Sequence, residues 1–266
     1  MLYDNHMHCR FSEDSDADPI EMVMSAKSKG LAGITFTDHM DISYPNGEFI
    51  ISDVANYLHT LDQISKEYSD HGFEILKGIE LGLQTHVVSD NKNLIDSHDF
   101  DVVIGSIHLI DGLDPYYESF WEGIDPALRF RRFYETTLEN IKAFTDFDTL
   151  GHLDYIFRYH HTDNAPDTYS DYRELVDAIL QEIIKKDIAL EVNCSPINKG
   201  MLYPNPMPDI IKRYHQLGGR LITLGADAHE PQNIGAGFDI LPDLLKDCGF
   251  NSYAVFKHRK PQEIAI

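Results

Sequence analysis

Seven short runs rich in Ile, Val, Leu and Phe recur along the chain, and nearly every one finishes on a histidine or a carboxylate. They read LYDNHMH, GITFTDH, EILKGIEL, DVVIGSIHL, DTLGHLDYI, IALEVNCS and LITLGADAH. Between them lie amphipathic stretches, PIEMVMSAKSKG, SDVANYLHTLDQISKEYSDHG, RFRRFYETTLENIKAFTD, YRELVDAILQEIIKKD and PDIIKRYHQLG, several closing on the glycine that ends helices. Strand and helix in alternation predict a parallel sheet built from βα units. When such a sheet closes into a barrel, the C-terminal ends of its strands form one rim, where these folds build their sites. His6 and His8 end the first run, Asp38 and His39 the second, Glu80 the third, His108 the fourth, His152 the fifth, and Asp227 with His229 the seventh.

Residues two apart on a strand share a face, so His6 with His8, and Asp227 with His229, each project a pair of donors in one direction. A single HxH is weak evidence for a metal. Six of the 14 histidines at strand ends facing one mouth is a different matter, because separate structural caps would not converge. Imidazole and carboxylate donors without thiolate suit Zn, Mn or Fe. Glu80 carries two oxygens and can join two ions, which predicts a multinuclear site for hydrolysis. His59, His71 and His215 fall in amphipathic stretches, His86 and His98 in polar loops, and His258 in the basic KHRK, all expected to be solvated or locally bonded. His160 and His161, in FRYHH directly after the fifth run, are left open. Cys9 faces away from His8, and three cysteines without CxxC spacing indicate neither a disulfide framework nor a structural zinc knuckle.

No Pro/Gly/Ser-rich linker divides the sequence, so one domain over residues 1–266 is expected. The balance of 44 acidic against 22 basic residues, a net charge of −22, repels polyphosphate backbones and argues against nucleic acid as a partner. No apolar run is long enough to span a membrane and no signal segment precedes the HxH, which predicts a cytoplasmic protein without a membrane partner. The aromatic segment Asp111–Asp125, DGLDPYYESFWEGID, is long for a βα connection and is expected to form a lid or substrate wall.

HxH, TDH, a lone Glu, SIH, GH and DAH, in this order from His6 to His229, resemble the polymerase and histidinol phosphatase (PHP) superfamily. The resemblance implies a distorted seven-stranded (β/α) barrel with three divalent metal ions at the C-terminal rim. By position, His6, His8, Glu80 and Asp227 would hold one ion, Glu80, His108 and His152 a second, and Asp14, His39 and His229 a third. Asp14 stands where many relatives have a histidine, and Glu13 or Asp16 of FSEDSD can take its place. Length, SIHLIDG, GHLDYIFRY and EVNCS are most similar to the stand-alone histidinol-phosphate phosphatases, which implies hydrolysis of L-histidinol phosphate in histidine biosynthesis. Arg158 is then the phosphate clamp, since a guanidinium makes two parallel bonds to phosphate oxygens. Asp227 or His229 would protonate the leaving alkoxide. His39, Asn193, Ser195 and Tyr117 would contact substrate, with Lys199, Tyr116, Phe120 and Trp121 as further candidates. Competing readings are another PHP phosphoesterase acting on small phosphate monoesters or short nucleotides, and a non-catalytic metal-binding protein. Amidohydrolase barrels share the early HxH but use a lysine on a middle strand, and the IEL context of Glu80 offers none. Oligomeric state is not readable.

Overall fold

Strands buried on both faces need unbroken apolar runs, and all seven predicted runs form strands in the computed structural model, which describes residues 1–159 and 169–266. They are β1 (Tyr3–Met7), β2 (Gly33–Phe36) with its short continuation β3 (His39–Met40), β4 (Glu74–Gly82), β5 (Val102–Ser106), β6 (Thr149–Leu150), β7 (Ala189–Asn193) and β8 (Ile222–Gly225). The order is β1-β2-β4-β5-β6-β7-β8 with every neighbouring pair parallel, and β3 pairs with β4. The sheet curls until its edges meet. The Asp227 N–H donates to the His6 carbonyl at 2.8 Å, and the His8 N–H donates to the Ala228 carbonyl at 2.8 Å. These bonds leave a nearly closed barrel whose seam lies between β1 and β8.

Helices wrap the outside where the amphipathic stretches predict them: α1 (Pro19–Ser28), α2 (Val54–Tyr68), α4 (Pro126–Ala143), α5 (Arg173–Lys185) and α7 (Pro208–Gln216), with α3 (Val88–Ser97), α6 (Ser195–Asn198) and α8 (Leu241–Asp247) between them. Asp18, Asp53 and Asp125 cap α1, α2 and α4 by accepting backbone N–H groups of the first turn. α5 buries Val176, Ile179, Leu180 and Ile183, the i, i+3, i+4, i+7 stripe of a helix lying on a sheet. No described helix is long and apolar enough to cross a membrane.

Three elements are not predicted by the apolar pattern. In α3 only Asn91 is buried, so no apolar stripe marks it, and α8 is only seven residues long. The antiparallel hairpin of β9 (Ser252–Lys257) and β10 (Lys260–Ala265) turns at His258 and Arg259, both at positive φ (50° and 62°), without the Gly or Asn that usually marks such turns. It closes the end of the barrel opposite the histidines. The Tyr3 N–H donates to the Tyr253 hydroxyl at 3.1 Å, and Arg259 reaches Asp148 and Asp146.

Candidate metal centre

Glu80, on β4 and fully buried, is the hub of the rim. Its Oε2 lies 3.3 Å from His6 Nε2, 3.5 Å from His8 Nε2 and 3.0 Å from His39 Nδ1. Its Oε1 lies 3.3 Å from His108 Nε2 and 3.0 Å from His152 Nε2, and accepts the Ser106 hydroxyl at 2.6 Å. One carboxylate therefore faces two groups of imidazoles, one with each oxygen. Asp227 stands across from it, with Oδ1 3.3 Å from His8 Nε2 and 3.7 Å from His6 Nε2. Asp14 reaches the outer edge, its Oδ2 3.0 Å from His229 Nε2 and 3.6 Å from His39 Nε2. Glu13 and Asp16, the alternatives to Asp14, are exposed and make no described contact with the cluster.

The donor atoms of His6, His8 and Glu80 lie within 4.8 Å of one another, as the resemblance groups them, and the curvature of the rim brings further donors together across that division. The donor atoms of His8, His39 and His229 lie within 4.8 Å of one another, as do those of His39, Glu80 and His108. His8 thus stacks between two rings assigned to a separate ion, with centroids 4.1 Å from His39 and 4.2 Å from His229. His8, His39 and Glu80 each belong to two of the three donor groups.

Charge is concentrated to match. Burial opposes protonation of His6, but the carboxylates of Glu191, Glu80 and Asp227 outweigh it and hold its pKa well above the usual imidazole value. Burial, reinforced by His39 and His229, pushes His8 down to about 3. Burial also works against ionised Glu80, yet His6, His108 and His39 hold its carboxyl well below the ordinary range. His39 Nδ1, Glu80 Oε2, His152 Nδ1 and His229 Nε2 are buried without a hydrogen bond of acceptable geometry. Converging lone pairs that hydrogen bonds do not satisfy are what divalent cations bind, so the donor set fits metal ions.

A cavity of about 440 Å³ opens over the cluster. Arg158, 8% exposed, lines it on one side and is held by three partners. Nε donates to Asn205 Oδ1 at 2.7 Å, Nη1 to Asp227 Oδ2 at 2.9 Å and Nη2 to Asn193 Oδ1 at 2.8 Å. It is no surface salt bridge. Ser195, Lys199 and Tyr117 also line the cavity, together with Tyr44, Tyr116 and Tyr159. Two expectations are corrected here. Asn193 is fully buried and stays off the cavity wall, because its carbonyl oxygen is taken up by Arg158 and by the Ser195 N–H at 3.0 Å. Phe120 and Trp121 also stay off the wall; Phe120 packs on Trp121, which packs on Phe130, and the indole N–H donates to the Pro115 carbonyl at 2.9 Å. His160 and His161 lie outside the described residues.

The sequence missed three carboxylates. Asp41, two residues past His39, accepts from His108 Nδ1 at 2.9 Å, and fits beside Gly82, where any Cβ would lie 1.7 Å from its Oδ1. Glu191, inside the apolar run IALEVNCS, pairs with His6 Nδ1 at 2.5 Å. Asp114, which lines the cavity, accepts the Tyr44 hydroxyl and the Tyr116 N–H, each at 2.7 Å. A polar residue two positions from a named ligand was the available signal for Asp41, and a charge within an apolar strand was the signal for Glu191.

Residues 4–195 match the PHP domain model. The chain is 34% identical over 250 residues, 93% of its length and 94% of the relative's, to a probable histidinol-phosphatase of Clostridium acetobutylicum. It is 30% identical over 264 residues to the histidinol-phosphatase of Lactococcus lactis, covering 97% of this chain and 95% of that one. The crystal structure of a histidinol phosphate phosphatase from L. lactis, complexed with zinc, L-histidinol and phosphate, superposes with a TM-score of 0.89 at 30% identity, over 98% of each chain. With the ordered ligand set on the rim of the same barrel, these matches establish that the chain belongs to the PHP-domain family.

Proposed function

We propose that this chain is a metal-dependent histidinol-phosphatase, which hydrolyses L-histidinol phosphate to L-histidinol and phosphate in histidine biosynthesis. The observation that carries the reading is one cavity lined by a metal-type donor cluster, a cationic side chain and a carboxylate framed by tyrosines. Its volume of about 440 Å³ suits a small monoester rather than a long nucleic acid, which the net charge of −22 also disfavours. His6, His8, Asp14, His39, Glu80, His108, His152, Asp227 and His229 are the ligands, for three divalent ions of zinc, manganese or iron. Such ions, when bound, lower the pKa of water and stabilise negative charge developing on phosphoryl oxygens.

The chain's own residues do the rest. Among the described residues, Arg158 spends one N–H of each terminal nitrogen, on Asp227 and on Asn193, while Asn205 holds Nε and completes the fixing of its plane, so its fork is aimed before the phosphate arrives. Lys199 adds a second positive charge on the wall. Asp227 accepts from Arg158 with one oxygen and faces His8 with the other, so it serves as an anionic anchor rather than as the acid for the leaving alkoxide. As water adds to phosphorus and gives up a proton, the P–O bond to histidinol breaks, the leaving alkoxide takes a proton from His229, which the water's proton restores, and Arg158 holds the phosphoryl oxygens throughout. Asp114 receives the substrate's ammonium or imidazole N–H groups. Burial, with repulsion from Asp41 adding to it, raises the Asp114 carboxyl above its ordinary value, and a cation placed there relieves that penalty.

Two measurements check this reading. In a kcat/KM panel of histidinol phosphate, glucose phosphate, glycerol phosphate and a dinucleotide at equal metal loading, histidinol phosphate is preferred by up to ~10⁴-fold, because a tail without N–H groups leaves the polar pocket unpaired. Asp114→Asn cuts that preference by roughly 10- to 100-fold, the scale of a hydrogen bond to a charged group. Equal efficiency across the panel overturns the substrate assignment. Asp14→Ala weakens one zinc ion by roughly 10- to 100-fold and spares the others, since among the described cluster residues Asp14 reaches His39 and His229 at the outer edge. Simultaneous loss of all bound zinc on elemental analysis overturns its place at the edge of the cluster.

A further inference from the structure

Buried carboxylates are expensive unless donors surround them, and Glu191, 1% exposed inside the barrel, has no lysine or arginine partner among the described residues. Three donors point at it instead. His6 Nδ1 lies 2.5 Å from Oε1, while Oε2 accepts the His152 backbone N–H at 2.8 Å and the Asn193 amide at 3.3 Å. We propose that Glu191 is a positioning residue that sets the ring of His6 for metal binding and, through Asn193, sets Arg158 for phosphate. The inference rests on reading His6 as a ligand and Arg158 as the clamp.

An ionised carboxylate only accepts, so the Nδ1 proton of His6 stays with Glu191, and it is at Nε2, 3.3 and 3.7 Å from Glu80 Oε2 and Asp227 Oδ1, that a metal ion would replace the proton. The same logic sets the neighbouring amide. Because the Asn193 nitrogen donates to Glu191, its oxygen faces the other way, where it accepts Arg158 Nη2 at 2.8 Å and the Ser195 N–H at 3.0 Å. The fold keeps this line open at Gly225 on β8, where any Cβ would lie 2.5 Å from His6 Cβ and 2.6 Å from Glu191 Oε1. The contact to His152 ties a third strand end to the same carboxylate.

Glu191→Gln tests the inference. The amide has the same shape, but it presents an NH₂ to one side of a site where every neighbour donates. Either His6 must move its proton to Nε2, or the His152 N–H and Asn193 meet a donor. Zinc affinity, measured by competition with a chromophoric chelator, is expected to fall roughly 10- to 100-fold. Inhibition by inorganic phosphate at saturating zinc is expected to weaken in parallel. If the Gln protein does not fold, Glu191→Asp keeps the charge and withdraws the oxygens from His6, and the same two losses are expected. A variant that melts earlier with zinc removed, yet keeps parental zinc affinity and phosphate inhibition, has lost only a structural contact and overturns the inference. A parental chain that binds zinc but releases no phosphate from histidinol phosphate sinks the proposed function while leaving the zinc measurement decisive for Glu191. A parental chain that binds no zinc overturns both.

Discussion

Glu80→Gln is expected to lower turnover by roughly 10³-fold or more, equivalent to about 4 kcal/mol of lost transition-state stabilisation, while the fold is retained. The argument is local. Each Glu80 oxygen faces its own set of imidazoles, five rings in all, whereas Asp41 reaches one ring of each set, His39 and His108, and only through Nδ1. An amide keeps the volume but loses the charge, and its nitrogen turns a donor toward rings whose lone pairs are needed. Metal content by elemental analysis should fall below that of the parent, with unchanged circular dichroism showing that the barrel persists. A Gln protein with full metal content and near-parental kinetics would remove Glu80 from the bridging position.

Arg158→Ala is expected to lower kcat/KM by roughly 100-fold or more with metal content unchanged, the scale of losing one aimed cationic group, about 3 kcal/mol. Lysine should restore only part of the rate, since a point charge cannot replace a fork bonded to Asn205, Asp227 and Asn193 together. The variant also removes the Arg158 donor from Asp227 Oδ2 and the buried Asn205 amide oxygen, and one of two donors from the Asn193 oxygen, so some loss of melting temperature accompanies the kinetic effect. Metal loss equal to that of the Glu80 variant would mean that Arg158 acts chiefly by holding Asp227. Parental kinetics would remove it from the phosphate site altogether.

Most of the barrel is legible in the sequence because buried parallel strands are written as apolar runs, and the rim is legible because each run stops on a residue that has no business in a core. His6, His8, His39, Glu80, His108, His152, Asp227 and His229 all carry that mark. Their grouping is not legible. Which histidine stands beside which depends on the curl of the sheet, and it is the curl that brings His8 to His39 and His229. Asn193 and Trp121 show a second limit: a period-two pattern or an aromatic loop tells which side chains share a face, not whether a neighbour has already claimed them. α3 is hidden for a simpler reason, since a helix that buries only Asn91 leaves no apolar stripe to read.

The seam between β1 and β8 carries a consequence for how the molecule is made. His6 and His8 are synthesised roughly 220 residues before Asp227 and His229, and the donors that face one another across the cluster come from those two stretches. A ribosome-bound chain that has not yet released its final parallel strand therefore lacks a full ligand sphere, however well its early βα units have formed. On the proposed reading, tight binding of a metal ion would be a late event, coincident with sealing of the barrel, and such an ion would act as a rivet through that joint. Chains truncated before residue 227 should bind zinc weakly and melt without a zinc-dependent shift.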